Sequence, residues 1–326
     1  MRSLRPSLLF CLLASVASAQ APGPAPRILG QQTPDELYQL GRQLYDLAPP
    51  EVRARFTFPT KEQWDTFSAR LQHALESSSL EELASFAPEA RTALQALQTL
   101  PGYEDLADWL EQRLDAIEGA GETITPPKPR PPGVPQPPTR PGTSPTVPPA
   151  LQPVPHYNLW LSRVRQRPVP ARAAKLMPTL RAAFVAEGIP PELAWLAEAE
   201  SSLNPTARSP VGAKGLFQFM PETAKAMGLS TFLPDDRTDP AKSARAAARY
   251  LRQLHGRFGN WALALAAYNA GEGRVSRALT KQGGKTFTSI AEILPAETRM
   301  YVPKVCALIE IRAGVAPSRI PVPRRI

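Results

Sequence analysis

The chain is 326 residues long, more than one typical domain, and its two cysteines and three histidines form neither a His-Glu-x-x-His nor a Cys-x-x-Cys motif. That excludes the usual zinc sites, and no metal or cofactor is expected. The net charge of +9 is uneven: residues 21–155 carry 11 Lys/Arg against 17 Asp/Glu, a balance of −6, whereas residues 156–326 carry 25 against 12, a balance of +13. The C-terminal half should therefore seek anions, and charge alone admits nucleic acid, acidic polysaccharide and anionic cell-envelope polymers.

The first segment narrows that choice. Arg2 and Arg5 precede an apolar run from Leu8 to Val16, and Ala17-Ser18-Ala19 supplies small residues before a cut at Gln20, so residues 1–19 read as a signal peptide. Export to the periplasm or cell envelope, or secretion, is expected. Envelope polymers then rank above nucleic acid, for which no motif is found. The leader's apolar run is too short for a permanent span, and no later stretch approaches about 20 uninterrupted apolar residues, so no transmembrane anchor is expected in the mature chain. Removal of the leader takes Cys11 with it and leaves Cys306 alone, which precludes an intramolecular disulfide and makes a buried structural thiol the default.

Residues 34–118 read as a small helical domain. Thr33-Pro34-Asp35-Glu36 has the cap, proline and acids of a helix start, and further helices are predicted over Lys61–Leu75, Leu80–Phe86, Pro88–Leu100 and Tyr103–Ile117. Leu106, Trp109, Leu110, Leu114 and Ile117 recur at helical spacing, the mark of a core stripe. No chemical motif appears in this domain, whose role is left open. Residues 121–155 follow as a linker in which fourteen of thirty-five residues are proline. Extended at about 3.1 Å per residue, it can hold two domains up to roughly 100 Å apart.

Residues 156–326 form the second domain, also mainly α. Asp239-Pro240 starts a helix to about Phe258, with Arg245, Arg249 and Arg252 available to solvent; Asn260 caps Trp261–Asn269, apolar all round and so central; Gly271 ends it. Upstream, Pro190-Pro191 opens a helix that ends near Glu200. Leu193, Leu196, Ala197 and Glu200 share one face, whereas Glu198 lies on the side of Ala194 and Trp195. An acid on the inward stripe at a helix C-terminus is kept protonated by burial and by the helix dipole, as a general acid must be. A plain salt bridge or cap is the competing reading for any one of the twelve acids in this half. Gly212-Ala213-Lys214-Gly215 is a loop whose backbone must approach something closely; Gln218 and Met220 follow on one alternating side, an amide for an N-acetyl group and an apolar face for a pyranose, or ordinary packing.

Glu200-Ser201, Asn204-Pro205, Ser209, Gly212-Ala213-x-Gly215-Leu216-x-Gln218-x-Met220-Pro221, Ala267-Tyr268-Asn269-Ala270-Gly271-x-Gly273-Arg274-Val275 and Glu297-Thr298-Arg299-x-Tyr301-Val302, in this order, resemble the catalytic domain of the soluble and membrane-bound lytic murein transglycosylases. The resemblance runs from about Glu192 to Ile311. It implies a goose-lysozyme-like, all-helical fold and peptidoglycan glycan strands as substrate. It further implies Glu200 as the single catalytic carboxyl, acid then base in cleavage to a 1,6-anhydro end, with Ser209, Gln218, Met220, Tyr268, Asn269, Glu297 and Tyr301 as substrate contacts. Tyr268 is the candidate to orient Glu200, and Glu297 reads equally as a contact or as the partner of Arg299 or another basic group. No second acid is obvious, since Asp235, Asp236, Asp239 and Glu272 sit in a loop, at a helix start or past a helix end. The alternatives are a hydrolytic muramidase on the same fold and a wall-binding protein without activity.

Overall fold

The structure, a computed structural model, describes residues 60–98, 104–125, 154–209 and 212–324, with isolated positions between 38 and 53. The leader, the helix start at Thr33 and most of the proline-rich segment lie outside the described residues. Among those described, every regular element is a helix, and β pairing is confined to two isolated bridges, Arg208 with Lys214 and Lys214 with Phe219. The mainly α class expected from periodicity is thus the one observed. None of the described helices is long and apolar enough to cross a membrane.

Local signals set the helix starts. Helix α1 (Lys61–Glu76) opens on a capping box in which Thr60 Oγ1 accepts from Gln63 N and the Gln63 side chain accepts from Thr60 N, satisfying two otherwise orphaned donors. Ser79 caps α2 (Leu80–Ala84) by accepting from Glu82 N at 3.0 Å. Helices α3 (Ala87–Leu97) and α4 (Glu104–Ile124) follow, with Leu110, Leu114 and Ile117 of α4 buried on the expected stripe. Helix α4 runs about two turns past its predicted end, through Gly119 and Gly121. A Cβ at Gly119 would lie 3.1 Å from the Trp160 ring, so the glycine that weakens the helix locally is what lets α4 approach α5 (Tyr157–Arg165) closely.

Two helices buried along most of their length form the centre, the first apolar all round and the second carrying charged residues as well. In α10 (Trp261–Ala270), capped by Asn260 Oδ1 accepting from Ala262 N and Leu263 N, residues Leu263 to Ala267 are all buried. In α13 (Ala296–Ala313) every residue from Thr298 to Ile309 is buried, including Cys306, whose thiol is pushed up to about 12 by burial and so stays an unreactive packing group. Around these pack α5, α6 (Ala173–Ala186), the 3₁₀ turn Pro191–Trp195 leading into α7 (Leu196–Ser201), α8 (Pro221–Ala226), α9 (Pro240–Phe258), α11 (Glu272–Gln282) and α12 (Phe287–Ile290). Asp239 caps α9 as predicted, accepting from Ala241 N and Lys242 N. Arg249, expected to be available to solvent, is 41% exposed at its side chain and also donates to Glu187 at 3.1 Å and to the Met227 carbonyl at 2.8 Å.

The helices before the proline-rich segment do not use the reach that segment offers. Helix α4 packs on α7 and α13, and α1 and α2 pack on α13, so one hydrophobic core runs through both parts. A buried ionic cluster fastens the junction: Asp115 of α4 meets Arg163 within α5, Arg167 just after it and Lys304 of α13, the last at 3.0 Å. Burial opposes ionisation of Asp115, yet the three cations win and hold its carboxyl far below the usual range.

Candidate active site

Glu200 lies on the last turn of α7. The helix is stopped by two consecutive left-handed residues, Ser202 at φ 50° and Leu203 at φ 59°, and Leu203 N turns back to the Ala197 carbonyl at 3.2 Å. Neither is glycine, so each conformation costs about 1–2 kcal/mol. Full burial of Leu203 offsets that cost. The expected inward stripe is only part of the picture, because every residue from Leu193 to Ala199 is buried, Glu198 included. What separates the two acids is their partners. Glu198 Oε1 and Oε2 accept from Arg312 Nη2 and Nε at 2.8 and 3.0 Å, a bidentate pair. Glu200 is partly exposed and accepts from the Tyr301 phenol.

The electrostatics of Glu200 follow from that setting. Burial pushes its carboxyl up to about 7; the Tyr301 hydrogen bond and the Arg113 and Lys304 charges pull the other way, and the Glu297 charge adds to the rise. Near neutral pH such a group is present in both forms, able to give a proton and to take one. Burial and the Glu200 charge also hold the Tyr301 phenol well above its usual range, so it remains a donor.

Tyr268 does not orient Glu200. Its hydroxyl donates to the Phe217 carbonyl at 2.8 Å, tying α10 to the glycine-rich loop, and Tyr301 fills the role the sequence suggested for Tyr268. Asn269 Oδ1 accepts from Thr298 Oγ1 at 2.7 Å, a second tie between α10 and α13. Glu297 has a basic partner, but it is Arg113 of α4 at 2.7 Å; Arg299 pairs with Glu292 and donates to the Ser78 carbonyl, each at 2.7 Å.

The loop from Gly212 to Met220 spends most of its polar groups on itself. Ser209, buried, accepts from Ala213 N at its Oγ at 2.9 Å. Gln218, held at φ 46°, donates its amide to Gly215 O at 2.9 Å and Ala207 O at 3.3 Å, which leaves its amide oxygen to offer. Ser201 Oγ donates to Leu216 O at 2.9 Å, so the residue after Glu200 is anchored to this loop. The close approach read from the glycines is to the protein itself: a Cβ on Gly215, at φ +80°, would fall 1.8 Å from the Arg237 carbonyl. Arg237, buried, donates to the Gly212 and Phe219 carbonyls and pairs with Asp235. Despite partial burial, bonds from Arg237 and Lys214 hold the Asp235 carboxyl down to about 2. Met220 ends the loop exposed, an apolar side chain left facing solvent.

The remaining acids are engaged elsewhere. Asp236 pairs with Lys242, Asp239 caps α9, and Glu272 pairs with Arg257, each at 2.9 Å or less. Sequence reasoning missed the contribution of α4: Arg113 on Glu297, and Gln112, whose amide, turned to suit its surroundings, donates to the carbonyls of Glu200 at 2.7 Å and Ala199 at 3.1 Å. Both residues occupy ordinary polar positions beside a core stripe, and nothing local signals a partner about ninety residues away or more.

Residues 180–290 match the family model described as Transglycosylase SLT domain. The membrane-bound lytic murein transglycosylase D of Escherichia coli K12 is 41% identical over 127 residues, covering 38% of this chain and 28% of that protein. The membrane-bound lytic murein transglycosylase F of Alcanivorax borkumensis is 40% identical over 139 residues, 39% of this chain and 27% of that protein. The soluble lytic murein transglycosylase of Salmonella typhimurium is 39% identical over 120 residues, 34% of this chain and 19% of that protein. The chain thus spans less than a third of the length of each of these relatives. The matched residues 180–290 take in Glu200, the 212–220 loop and the turn at Gly271, so the likeness to that family lies over the site itself.

Proposed function

We propose that this protein is a peptidoglycan lytic transglycosylase of the cell envelope, reached through the export leader. Glu200 protonates the oxygen bridging N-acetylmuramic acid and N-acetylglucosamine; the C1–O bond breaks and the glucosamine side leaves as an alcohol. The Glu200 carboxylate then takes the proton of the muramoyl C6 hydroxyl as its oxygen bonds to C1, which closes a 1,6-anhydro ring, returns the proton to Glu200 and consumes no water. One observation carries this reading: a partly open carboxyl raised to about 7 whose side-chain hydrogen-bond partner is a phenol. Hydrolysis needs a second carboxylate to act as nucleophile or to activate water. The acid whose charge helps to raise Glu200, Glu297, is held by Arg113.

The substrate roles divide by what the side chains have to offer. Gln218 through its amide oxygen, exposed Met220, Asn269 and Glu297 contact the glycan, whereas Ser209, Tyr268 and Tyr301 shape the loop and the acid. The balance of +13 over residues 156–326 suits an anionic wall polymer. Incubating the purified protein with sacculi and resolving the products by mass spectrometry tests the reading. Anhydro-muropeptides are expected; reducing ends alone would make it a muramidase, and binding without release would make it a wall-binding protein.

A further inference from the structure

The side chains gathered at Glu200 do not all come from the matched segment. Tyr301 and Glu297 belong to α13, which begins after residue 290, and α13 is gripped at four points by helices from the other side of the proline-rich segment. Ala296 N donates to the Ser77 carbonyl at 2.8 Å, Arg299 to the Ser78 carbonyl at 2.7 Å, Arg113 pairs with Glu297 at 2.7 Å, and Lys304 with Asp115 at 3.0 Å. Gln112, next to Arg113, holds the carbonyl of Glu200 itself. These contacts bracket Tyr301 on both sides along α13 and clamp the last turn of α7 against α4.

We propose that the N-terminal helices are a built-in part of the catalytic unit, with Arg113 the positioning residue that fixes Glu297 and so sets the electrostatic surroundings of Glu200. This rests on the reading of Glu200 as the proton donor. The charged and titratable groups facing Glu200 are Tyr301, Glu297 and Lys304 from α13, Tyr268 from α10 and Arg113 from α4; Glu198, on its own helix, is neutralised by Arg312. Arg113 acts twice in this set. Its cation favours the Glu200 carboxylate directly, and its pairing offsets the Glu297 charge that disfavours it. Loss of Arg113 removes both effects in the same direction. Because Arg113 is 36% exposed at its side chain, its removal leaves no buried charge unpaired on α4.

The test is made in the full chain with Arg113→Ala and Arg113→Lys. For a donor that must be protonated, activity falls as pH rises through its ionisation, so Arg113→Ala should move the alkaline limb of sacculus digestion upward, by on the order of 0.5–1 pH unit, and Arg113→Lys should bring it back. Titration of the Glu200 side-chain carboxyl by ¹³C NMR in the same variants, without substrate, should move with the limb. A lowered rate with the NMR midpoint unmoved in Arg113→Ala would make Arg113 merely structural and overturn the inference. Should Arg113→Ala not fold, Glu297→Gln reports from the other side: its NMR midpoint should fall, and an unchanged midpoint overturns the inference. Since the titration needs no turnover, absence of sacculus digestion by the unaltered chain would defeat the functional reading and leave this test standing.

Discussion

Tyr301 donates its phenol proton to the carboxyl of Glu200 across the gap between α13 and α7, and this bond favours the charged form of an acid that burial keeps largely neutral. The two influences oppose each other, and their balance puts Glu200 near neutrality. Tyr301→Phe removes the opposing one. Its alkaline limb for sacculus digestion should therefore move to higher pH than that of the unaltered chain, while the rate at the optimum falls about tenfold or more from loss of orientation. A pH–rate profile from pH 5 to 9 checks both; a limb that moves down would mean that the phenol does not favour the carboxylate.

Glu200→Gln should abolish release of anhydro-muropeptides, by at least about 10²-fold, because it removes the proton donor, and the acid whose charge bears on Glu200, Glu297, is held by Arg113. Its stability should change with pH in a definite sense. The folded-state value of about 7 lies above the ordinary glutamate value of 4.5, so the unaltered chain has the full benefit of a neutral Glu200 only below pH 4.5 and loses it as pH rises to 7. Guanidinium unfolding at pH 4.5 and 8 should show the unaltered chain losing stability relative to Glu200→Gln, by up to about 3 kcal/mol before allowance for its partial exposure. A constant difference between the two proteins across that range would contradict the raised carboxyl.

Gly215→Ala should unfold the loop's anchorage, since a Cβ 1.8 Å from the Arg237 carbonyl cannot be accommodated by a flexible side chain moving aside. A loss of about 2 kcal/mol or more is expected, with digestion impaired because Ser201, next to Glu200, hangs on the same loop. Gly228→Ala is the control: φ there is +79° but nothing lies within 4 Å, so only the backbone cost of about 1 kcal/mol applies. Melting temperatures of the two variants separate contact from conformation.

How much of this was legible beforehand depended on whether a feature was local. The caps at Asn260 and Asp239, the all-apolar helix at Trp261 and the carboxyl at the end of a short helix each rest on a few adjacent residues, and each stands as read. The glycines at 212 and 215 announced a close approach without saying to what, because the Arg237 carbonyl arrives from another turn. Tyr268 was the plausible partner for Glu200 by motif, yet the direction of a phenol on a central helix is set by the loop packed over it, and Phe217 takes its proton. Arg113 was invisible for a further reason: the proline-rich segment implied separation, whereas the docking of α4 depends on Asp115 meeting three cations drawn from α5, the turn after it and α13.

Glu198, two residues from Glu200, offers the sharpest contrast between an acid that holds the fold and one that acts. Its bidentate pair with Arg312 is almost wholly buried, so removing one member strands the other's charge without solvent. Breaking such a pair costs about 3–5 kcal/mol. Arg312 also donates to the Arg167 and Pro168 carbonyls, at 3.3 and 3.1 Å, and those bonds are lost in Arg312→Ala. Glu198→Gln and Arg312→Ala should therefore lower the unfolding midpoint strongly, while whatever fraction remains folded keeps its sacculus digestion within a few-fold. Glu200→Gln should do the reverse, leaving the midpoint at acidic pH nearly unchanged and the digestion lost. Equal destabilisation by Glu198→Gln and Glu200→Gln at pH 5 would mean that Glu200, too, is an ionised structural acid, and the assignment of the proton donor would have to move elsewhere in the cleft.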